Sequence, residues 1–405
     1  MKKLRTSIII VGILVVVAVL ALALGPGKLE ESKNTVAPHS PYKISEAALE
    51  LHKTLVIGDL HADSTLWKRD LLQRYDRGHV DIPRMREGNQ AVQMFTSVTK
   101  SPSGQNYDKN SANADDNITS LVMIQAWPID TWSSLTARAL FQAEKLQTMA
   151  AQAPNEFMLI LNANDLETLL AKRAQGDTIV GGLLGTEGSH ALDGSLANID
   201  VLFEAGFRMM SLQHFFDNKL GGSLHGESGE GLTEFGRQAV DRMVSKGIMI
   251  DVSHSAPQVV EDVLARSNTP LIVSHTGFYG HCESARNISD ELMLKIAAGG
   301  GIIGVGYWDA AVCDATPKGI VSAIRYGIDL VGEDHVALGS DFDGTIAAPF
   351  DTSELAALTQ EMLNQNFTEA EIRKTMGENM MRYLATNLPG TCLQVVNDEG
   401  NCNAE

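Results

Sequence analysis

Residues 54–67, TLVIGDLHADSTLW, join a short apolar run directly to charged and imidazole side chains. The run Leu55–Ile57 is too short for a helix and favours a buried β-strand. Because alternate residues of an extended chain point to the same side, we expect His61 and Asp63 to project together from the end of this strand. One imidazole and one carboxylate are half of a metal site. Ordinary hydrogen bonding is the alternative that this stretch leaves open.

Strand-like and helical segments alternate along the rest of the chain. Strands are expected at residues 55–57, 91–98, 157–161, 179–185, 209–214, 248–253, 271–274, 301–307 and 336–339. Amphipathic segments separate them, a pattern typical of βα units and a parallel sheet. The sequence therefore predicts an α/β fold, a (β/α)8 TIM barrel with additional C-terminal helices over residues 44–390, and an open doubly wound sheet is the alternative.

Ionisable side chains stand at the ends of six of these apolar strands. They are His61 with Asp63, Glu187, His214, His254, His275, and Asp341 with Asp343. In a barrel of this kind the active site lies where the strands end. Each side chain alone is explained by ordinary structure, but burying six uncompensated polar ends on one face would be costly. The pattern therefore predicts a shared site.

Five of these side chains have the ligand types of a site for two Zn²⁺ ions. They are His61, Asp63, Glu187, His254 and His275. Imidazole and carboxylate suit zinc, although Co²⁺ or Mn²⁺ could occupy the same groups. Two ions need a bridging carboxylate, and we assign Glu187, with His61 and Asp63 completing one ion and His254 and His275 the other. A water between the ions would be acidified to a hydroxide near neutral pH.

The composition indicates a globular protein with an acidic surface. Hydrophobic residues make up 44% of the 405 residues and charged residues 20%, which is enough apolar material for a large core. The net charge is -18, and no basic run interrupts the body of the chain. Because binding to phosphate backbones needs clustered Lys and Arg, a nucleic-acid partner is excluded.

The first 24 residues differ from the rest of the chain. Lys2, Lys3 and Arg5 precede a run from Ile8 to Leu24 without any charge, the pattern of an export signal. A cleaved signal peptide and a retained membrane anchor through residues 8–24 both remain open, and both place the body outside the cytoplasm, periplasmic or at the cell surface. Residues 25–43 are expected to be a linker.

Four cysteines suit such an oxidising compartment. Cys392 and Cys402, in the expected tail of residues 391–405, could form one disulfide, which would leave Cys282 and Cys313 for a second. Four free thiols are the alternative. No CxxC spacing supports a cysteine metal site.

Six segments resemble the membrane (renal) dipeptidase family of zinc peptidases, in order, spacing and flanking residues. They are HADSTLW, GTEGSH, QHFFDN, DVSHS, VSHTGFYGHCESARNISD and GSDFDG, and the resemblance runs from about residue 44 to residue 384. It implies a (β/α)8 barrel with two zinc ions that cleaves dipeptides and forms a homodimer. It also implies that Glu187 is the bridging ligand and that Cys282 and Cys313 form a disulfide.

The resemblance implies four further roles. His214 would contact the scissile carbonyl and stabilise the oxyanion, and Arg286 would grip the substrate carboxylate with its guanidinium fork. Asp341 would take the proton of the attacking water and pass it to the leaving amine. Tyr307 would line the substrate pocket.

Other ionisable residues have more ordinary expectations. We expect His190 to support the site or the loop and not to be a sixth ligand, and His225 to be a solvated loop residue. His281 is discounted as a ligand because it adjoins a cysteine expected in a disulfide. Asp343 either supports Asp341 or caps the next helix, and the sequence leaves both open.

Together these observations predict an exported zinc-dependent dipeptidase, whose substrates include dipeptides with a C-terminal D-residue. A related metal hydrolase of N-acyl amino acids or lactones is the first alternative. A non-enzymatic binding protein on the same fold is the second, and the presence of all five ligands argues against it.

Overall fold

The computed structural model describes residues 24–390, and it contains eleven strands within that range. The strands are β1 (Thr35–Val36), β2 (Ile57–Ala62), β3 (Gln90–Val98), β4 (Phe157–Leu159), β5 (Val180–Glu187), β6 (Phe207–Ser211), β7 (Met249–Asp251), β8 (Ile272–Thr276), β9 (Ile302–Val305), β10 (Val336–Leu338) and β11 (Ala347–Ala348).

Eight of these strands form a closed parallel barrel. The order is β3, β2, β10, β9, β8, β7, β6 and β5, and pairing of β5 with β3 closes the ring. Strand β4 pairs with the first residues of β5, and β6 pairs with its later residues. The predicted TIM barrel is therefore confirmed, and the open doubly wound sheet is excluded.

Helices surround the barrel between successive strands. The α-helices are Glu46–Lys53, Ile82–Glu87, Asn117–Ile124, Leu135–Gln152, Ala163–Ala174, Ala197–Glu204, Glu234–Ser245, Pro257–Arg266, Asp290–Ala298, Asp309–Val312, Pro317–Val331, Ala356–Asn364, Glu369–Arg373 and Asn379–Asn387. Hydroxyl caps begin several of them: Thr233, Ser289 and Thr316 each accept the backbone N–H three residues further on.

Alternation of side chains along each strand builds two apolar layers. Met249 and Ile272 belong to a cluster with members from all eight barrel strands, which fills the interior. Their neighbours Ile250 and Val273 belong to the cluster that packs against the surrounding helices. Successive residues of a strand point to opposite faces, so a fully buried barrel strand is apolar on both sides. The continuous apolar runs in the sequence have this cause.

The C-terminal helices close one end of the barrel and leave the other end for the site. Asn379 donates to the carbonyl of Val336 at the start of β10, and the Tyr383 hydroxyl donates to the carbonyl of Pro270 just before β8. The helix Asn379–Asn387 therefore covers the amino ends of the strands. The carboxyl ends, where the predicted ligands lie, remain on the opposite side.

The segment expected to be a linker, residues 25–43, is attached to the barrel along part of its length. Residues 24–33 are helical, and β1 pairs with β11. Glu30 of this helix is fully buried and contacts Arg69 and Arg77. These contacts are polar and involve distant residues, so no apolar periodicity in the sequence predicted them.

Nearly all of the predicted signal or anchor and the whole expected tail lie outside the described residues. The structure therefore describes only Leu24 of the first 24 residues, and neither Cys392 nor Cys402. Within residues 24–390, no helix has both the length and the apolar character needed to cross a membrane.

Candidate metal centre

The predicted ligands meet at the carboxyl ends of the barrel strands. His61 lies in β2 with Asp63 just beyond it, and Glu187 is the last residue of β5. His254 follows β7 by three residues, and His275 lies near the end of β8. Parallel strands bring these positions to one rim, and all five side chains are buried.

The Glu187 carboxylate is at the centre of the group. Its Oε1 atom lies 3.5 Å from His61 Nε2, 3.3 Å from His254 Nε2 and 3.5 Å from His275 Nε2. Its Oε2 atom lies 3.3 Å from Nε2 of His214. One carboxylate thus faces imidazoles that come from four strand ends. Glu187 therefore contacts predicted ligands of both groups, His61 of the first and His254 and His275 of the second.

Gly188 allows the chain to turn immediately after Glu187. Its φ of +83° is in the left-handed region, and a Cβ there would lie 2.8 Å from His190 Nδ1 and 3.0 Å from Cβ of His214. Only glycine meets both conditions without strain. The Glu-Gly pair in GTEGSH therefore has a local structural reason.

The donor atoms fit a pair of divalent ions. Three sets of side chains each place one ligand atom within 4.8 Å of the others: His61 with Asp63 and Glu187; Glu187 with His254 and His275; and His61 with His275 and Asp341. Within residues 24–390, His61 Nε2 is buried and has no hydrogen-bond partner. Nitrogen and carboxylate donors of this number suit zinc or another first-row metal. The sets share Glu187, His61 and His275, which is consistent with two adjacent ions.

Other hydrogen bonds orient the ligands. The Thr96 hydroxyl donates to Oδ1 of Asp63 at 2.6 Å, and His214 Nδ1 donates to the carbonyl of Lys100 at 3.0 Å. Since a carbonyl only accepts, the His214 proton is assigned to Nδ1. His214 therefore presents Nε2 to the centre.

Burial controls the protonation of the site. It lowers the pKa of His254 and His275 well below the ordinary value and that of His214 to about 4. Burial, reinforced by Asp63, raises the pKa of Glu187 well above its usual range. For His61, burial opposes the charge, but the carboxylates of Asp63 and Glu187 outweigh it and the pKa is raised. Neutral imidazoles are the form that binds metal.

A cavity of about 120 Å³ opens beside the centre and is lined by three of the four predicted substrate-binding residues. Arg286 and Asp341 both line it. The Arg286 guanidinium is held by the carbonyls of His275 at 2.7 Å and Ser253 at 3.2 Å. Asp341 Oδ1 lies 3.9 Å from His61 Nε2, and burial followed by the Asp63 charge raises the pKa of the Asp341 carboxyl. A guanidinium and a buried carboxyl group therefore face the same space.

Tyr307 is not placed at this cavity. Its ring is fully buried against Phe342 and Phe350, at centroid distances of 5.4 and 5.6 Å, and it is absent from the cavity lining. The expectation that Tyr307 lines the substrate pocket was therefore wrong. Its position in the sequence, two residues after β9, suggested the rim, but the side chain turns into the aromatic core.

Two other histidines, His225 and His190, lie outside the ligand sets, and the structure contradicts the expectation for His225. His225, expected to be solvated, is fully buried, with Nδ1 donating to the carbonyl of Tyr107 at 2.8 Å and the ring stacked on Phe215. Contacts with a loop more than 100 residues away bury it. His190 packs on Phe216 and belongs to none of the three ligand sets.

Among the described residues, Asp343 makes no hydrogen bond to Asp341 and caps no helix. It accepts hydrogen bonds from Arg69 Nη2 and Ser64 Oγ, both at 2.5 Å, and from the His79 amide at 2.7 Å. Although burial opposes its charge, Arg69 and these donors hold the pKa of Asp343 well below its usual range. The expectation of a helix cap was therefore wrong, and any support that Asp343 gives to Asp341 is indirect, through the loop that both residues share.

Sequence reasoning missed Tyr107, which lines the cavity together with Arg286. Its hydroxyl accepts a hydrogen bond from Trp308 Nε1 at 3.0 Å. Tyr107 lies between β3 and the helix Asn117–Ile124 in a polar loop without a strand end or motif. Its only signal was an aromatic residue within an otherwise polar loop after a barrel strand.

The predicted disulfide between Cys282 and Cys313 is present, and the described residues include no free cysteine. It ties the loop that carries Arg286 to the end of the helix Asp309–Val312. His281 contacts the ring of Tyr326 and lies in none of the ligand sets.

The chain is similar to known dipeptidases over most of its length. The model of the membrane dipeptidase family, peptidase family M19, matches residues 45–387. The crystal structure of dipeptidase AC, a metallopeptidase, is 25% identical with a TM-score of 0.68, over 83% of this chain and 99% of that one. A metallopeptidase from Rhodobacter sphaeroides, bound to a phosphinate mimic of the dipeptide L-Ala-D-Ala, is 25% identical with a TM-score of 0.67, over 82% and 99%.

A third solved structure shares the fold. The probable dipeptidase PvdM from Pseudomonas aeruginosa is 19% identical with a TM-score of 0.68, over 84% of this chain and 97% of that one. The family match spans the whole barrel, including every ligand described above. The chain therefore belongs to the membrane dipeptidase family of metallopeptidases, peptidase family M19.

Proposed function

We propose that this metallo-dipeptidase uses two Zn²⁺ ions to hydrolyse the peptide bond of dipeptides. His61 and Asp63 would hold one ion, His254 and His275 the other, and Glu187 would bridge them. The observation that carries the proposal is the buried Glu187 carboxylate with three imidazole Nε2 atoms within 3.5 Å of Oε1. The zinc ions, when bound, supply Lewis acidity and lower the pKa of a coordinated water.

His214 is assigned to the oxygen of the scissile carbonyl. Its Nδ1 proton is held by the carbonyl of Lys100, so Nε2 donates a hydrogen bond only when the ring is protonated. Negative charge that develops on the carbonyl oxygen favours this protonated form. His214 would therefore stabilise the transition state more than the bound substrate.

Asp341 is assigned to proton transfer. Burial and the charge of Asp63 raise the pKa of its carboxyl, which brings it closer to the range in which a group both accepts and releases a proton. It would accept a proton from the attacking water and return it to the leaving amine. Its place in the cavity wall beside the ligands supports this role.

Arg286 is assigned to the C-terminal carboxylate of the substrate. The guanidinium is fixed by carbonyls at two strand ends, so it is already oriented before substrate binds. A fixed cation in the wall of a small cavity favours short substrates with a free carboxylate. Dipeptides with a C-terminal D-residue are included, and the L-Ala-D-Ala mimic bound by the Rhodobacter sphaeroides relative supports this.

The alternative is hydrolysis of N-acyl amino acids or lactones at the same site. The experiment compares purified enzyme with added Zn²⁺ on L-Ala-L-Ala, L-Ala-D-Ala, N-acetyl-L-alanine and a simple lactone. We expect the dipeptides to be cleaved with kcat/KM well above that of the acyl-amino acid and lactone. Cleavage of the acyl-amino acid alone would favour the alternative, and a zinc-loaded enzyme that cleaves none of the four would overturn both.

Two parts of the proposal rest on the sequence: export on the basic and apolar pattern of the first 24 residues, and the homodimer on the family resemblance. We propose that residues 1–24 export the chain as a cleaved signal or a membrane anchor, and that the mature protein is a homodimer. The mass of the protein recovered from the producing cells distinguishes cleavage from retention. Light scattering of the purified body distinguishes a dimer from a monomer.

A further inference from the structure

One serine hydroxyl contacts two of the candidate ligands at once. Ser274 Oγ lies 2.9 Å from His61 Nδ1 and 3.0 Å from Nδ1 of His275. These two histidines come from different strands and would serve different ions in the proposed centre. All three side chains are buried, so no bulk water competes for these contacts.

Asp251 anchors this hydroxyl from behind. Its Oδ2 atom accepts the Ser274 hydroxyl at 2.8 Å. Its Oδ1 atom accepts the amides of Ser253 and Ser274 at 3.1 and 3.0 Å and the Ser253 hydroxyl at 2.6 Å. The contacts of the two serine hydroxyls with Asp251, at 2.6 and 2.8 Å, are shorter than the 3.0 Å between the two hydroxyl oxygens, so the hydroxyl protons of both serines are assigned to Asp251.

The number of protons on these groups then decides the tautomers of His61 and His275. A serine hydroxyl has one proton and two lone pairs. The proton of Ser274 goes to Asp251, so its lone pairs can accept one N–H from His61 and one from His275. Both imidazoles would then carry their proton on Nδ1 and present an unprotonated Nε2. Those Nε2 atoms are the ones that face Glu187, at 3.5 Å each.

We propose that Ser274 and Asp251 are positioning residues that hold His61 and His275 in the metal-binding tautomer. The inference rests on the metal centre of the proposed function and not on the choice of substrate. His254 lacks such support because its Nδ1 atom has no partner among the described residues. Since Ser274 joins a ligand of each ion, its loss affects both ions and not one.

Two substitutions test different parts of the network. Ser274→Ala removes the shared acceptor from both histidines. Asp251→Asn keeps the size but replaces an acceptor by a donor. The three donors to Oδ1 require the amide oxygen at that position, which turns the amide nitrogen toward Ser274 Oγ. The hydroxyl then uses one lone pair for the amide and can accept from only one histidine.

Ser211→Ala is the matched control. Ser211 is also a fully buried serine at the end of a barrel strand, and its hydroxyl donates to the carbonyl of Gln213 at 2.9 Å. It is in none of the ligand sets. Ser211→Ala therefore loses a buried hydroxyl hydrogen bond without changing the acceptors of His61 or His275.

The first readout is zinc affinity, measured by competition with a chelator at pH 7.5. We expect Ser274→Ala and Asp251→Asn to weaken the binding of both ions by about 10- to 100-fold, as for other partners of metal ligands. Ser211→Ala should bind zinc as the wild type does. Wild-type zinc affinity in Ser274→Ala would overturn the proposal.

The second readout is the tautomer itself, from ¹⁵N NMR of histidine-labelled metal-free protein. At a pH high enough that both rings are neutral, the wild type and Ser211→Ala should show Nδ1-protonated rings for His61 and His275, and Asp251→Asn should shift at least one to the Nε2-protonated form. If Ser274→Ala does not fold, Asp251→Asn still decides the question. Unchanged tautomers in Asp251→Asn would also overturn the proposal.

These readouts separate the inference from the proposed function. An enzyme that binds zinc and shows the expected losses, but cleaves no dipeptide, would support the network and refute the substrate. An enzyme that cleaves dipeptides while all four proteins bind zinc equally would do the reverse.

Discussion

At the scale of single residues, Arg286 is held firmly by hydrogen bonds, and a substrate in the cavity can still contact it. It is 1% exposed and bonded to backbone carbonyls, yet it lines the same cavity as Glu187 and Asp341. A guanidinium offers two parallel donors to a carboxylate, which an ammonium cannot. The residue should therefore select the free carboxylate end of a substrate.

We expect Arg286→Lys to lower kcat/KM for L-Ala-L-Ala by at least about 30-fold, because loss of a partner to a buried charge costs about 2–5 kcal/mol. The same dipeptide with an amidated C-terminus should be a poor substrate for the wild type and should lose little further. Steady-state kinetics on the two substrates check this. Equal losses on both would contradict the carboxylate assignment.

His190 should make the protein sensitive to acid. Burial, together with the charges of His214 and Lys100, lowers the pKa of His190 to about 3. In the unfolded chain it titrates near 6.5, so between these values the unfolded state binds the extra proton. Stability from this residue is thus complete above pH ~6.5 and falls by about 1.4 kcal/mol per pH unit below it.

The test is urea unfolding of the metal-free wild type and of His190→Phe at pH 7.5 and pH 5. The wild type should lose about 2 kcal/mol more than the variant between these two pH values. Each protein is its own reference, so a general effect of the substitution cancels. An equal loss in both proteins would show that His190 is not the acid-sensitive group.

At the scale of elements, the N-terminal segment and the loop after β10 contact and stabilise each other. Asp341, Asp343 and Thr345 in this loop all have φ near +60°, an uncommon conformation for residues other than glycine. Asn34 Oδ1 accepts the amide of Thr345 at 2.8 Å, and β1 pairs with β11 just beyond. The segment before the barrel therefore supports the loop that carries Asp341.

Glu30 is the centre of this support. It is fully buried and contacts Arg69, which in turn contacts Asp343. We expect Glu30→Gln to lower the free energy of unfolding by roughly 3–5 kcal/mol, because it leaves the buried Arg69 with one carboxylate instead of two. Denaturant unfolding measures this change.

Glu31→Gln on the same helix is the control, since its partner Lys28 is exposed and surface pairs contribute little. It should unfold as the wild type does. If the two variants were equally stable, the segment would be the linker that the sequence suggested and not part of the folded body.

At the scale of the whole molecule, the sequence was sufficient to predict the features that depend on strands, namely the barrel and the residues that meet at the strand ends. Runs such as Ile248–Ser253 are apolar because both faces of a barrel strand are buried, so their alternation with helices predicted the barrel. His61, Glu187, His254 and His275 stand at strand ends, and the closure of the barrel brings them together. The order of the strands and the local sequence pattern were therefore enough to predict both the barrel and the grouping of these four residues.

What the sequence did not predict depends on contacts between distant loops. Tyr107 lines the cavity, and its hydroxyl accepts a hydrogen bond from Trp308. Its carbonyl accepts a hydrogen bond from His225, more than 100 residues away. Tyr307 turns from the rim into an aromatic cluster with Phe342 and Phe350. None of these contacts has a periodic or local signal.

The bridging role of Glu187 is the central claim, and metal content tests it most directly. Wild type, Glu187→Gln and the exposed control Glu204→Gln would be loaded with zinc, dialysed, and assayed for zinc per chain and for dipeptidase rate. We expect two zinc ions in the wild type and the control. We expect at most one in Glu187→Gln, with kcat lower by roughly 10³-fold because Lewis-acid stabilisation contributes several kcal/mol. Two zinc ions and full activity in Glu187→Gln would contradict the account.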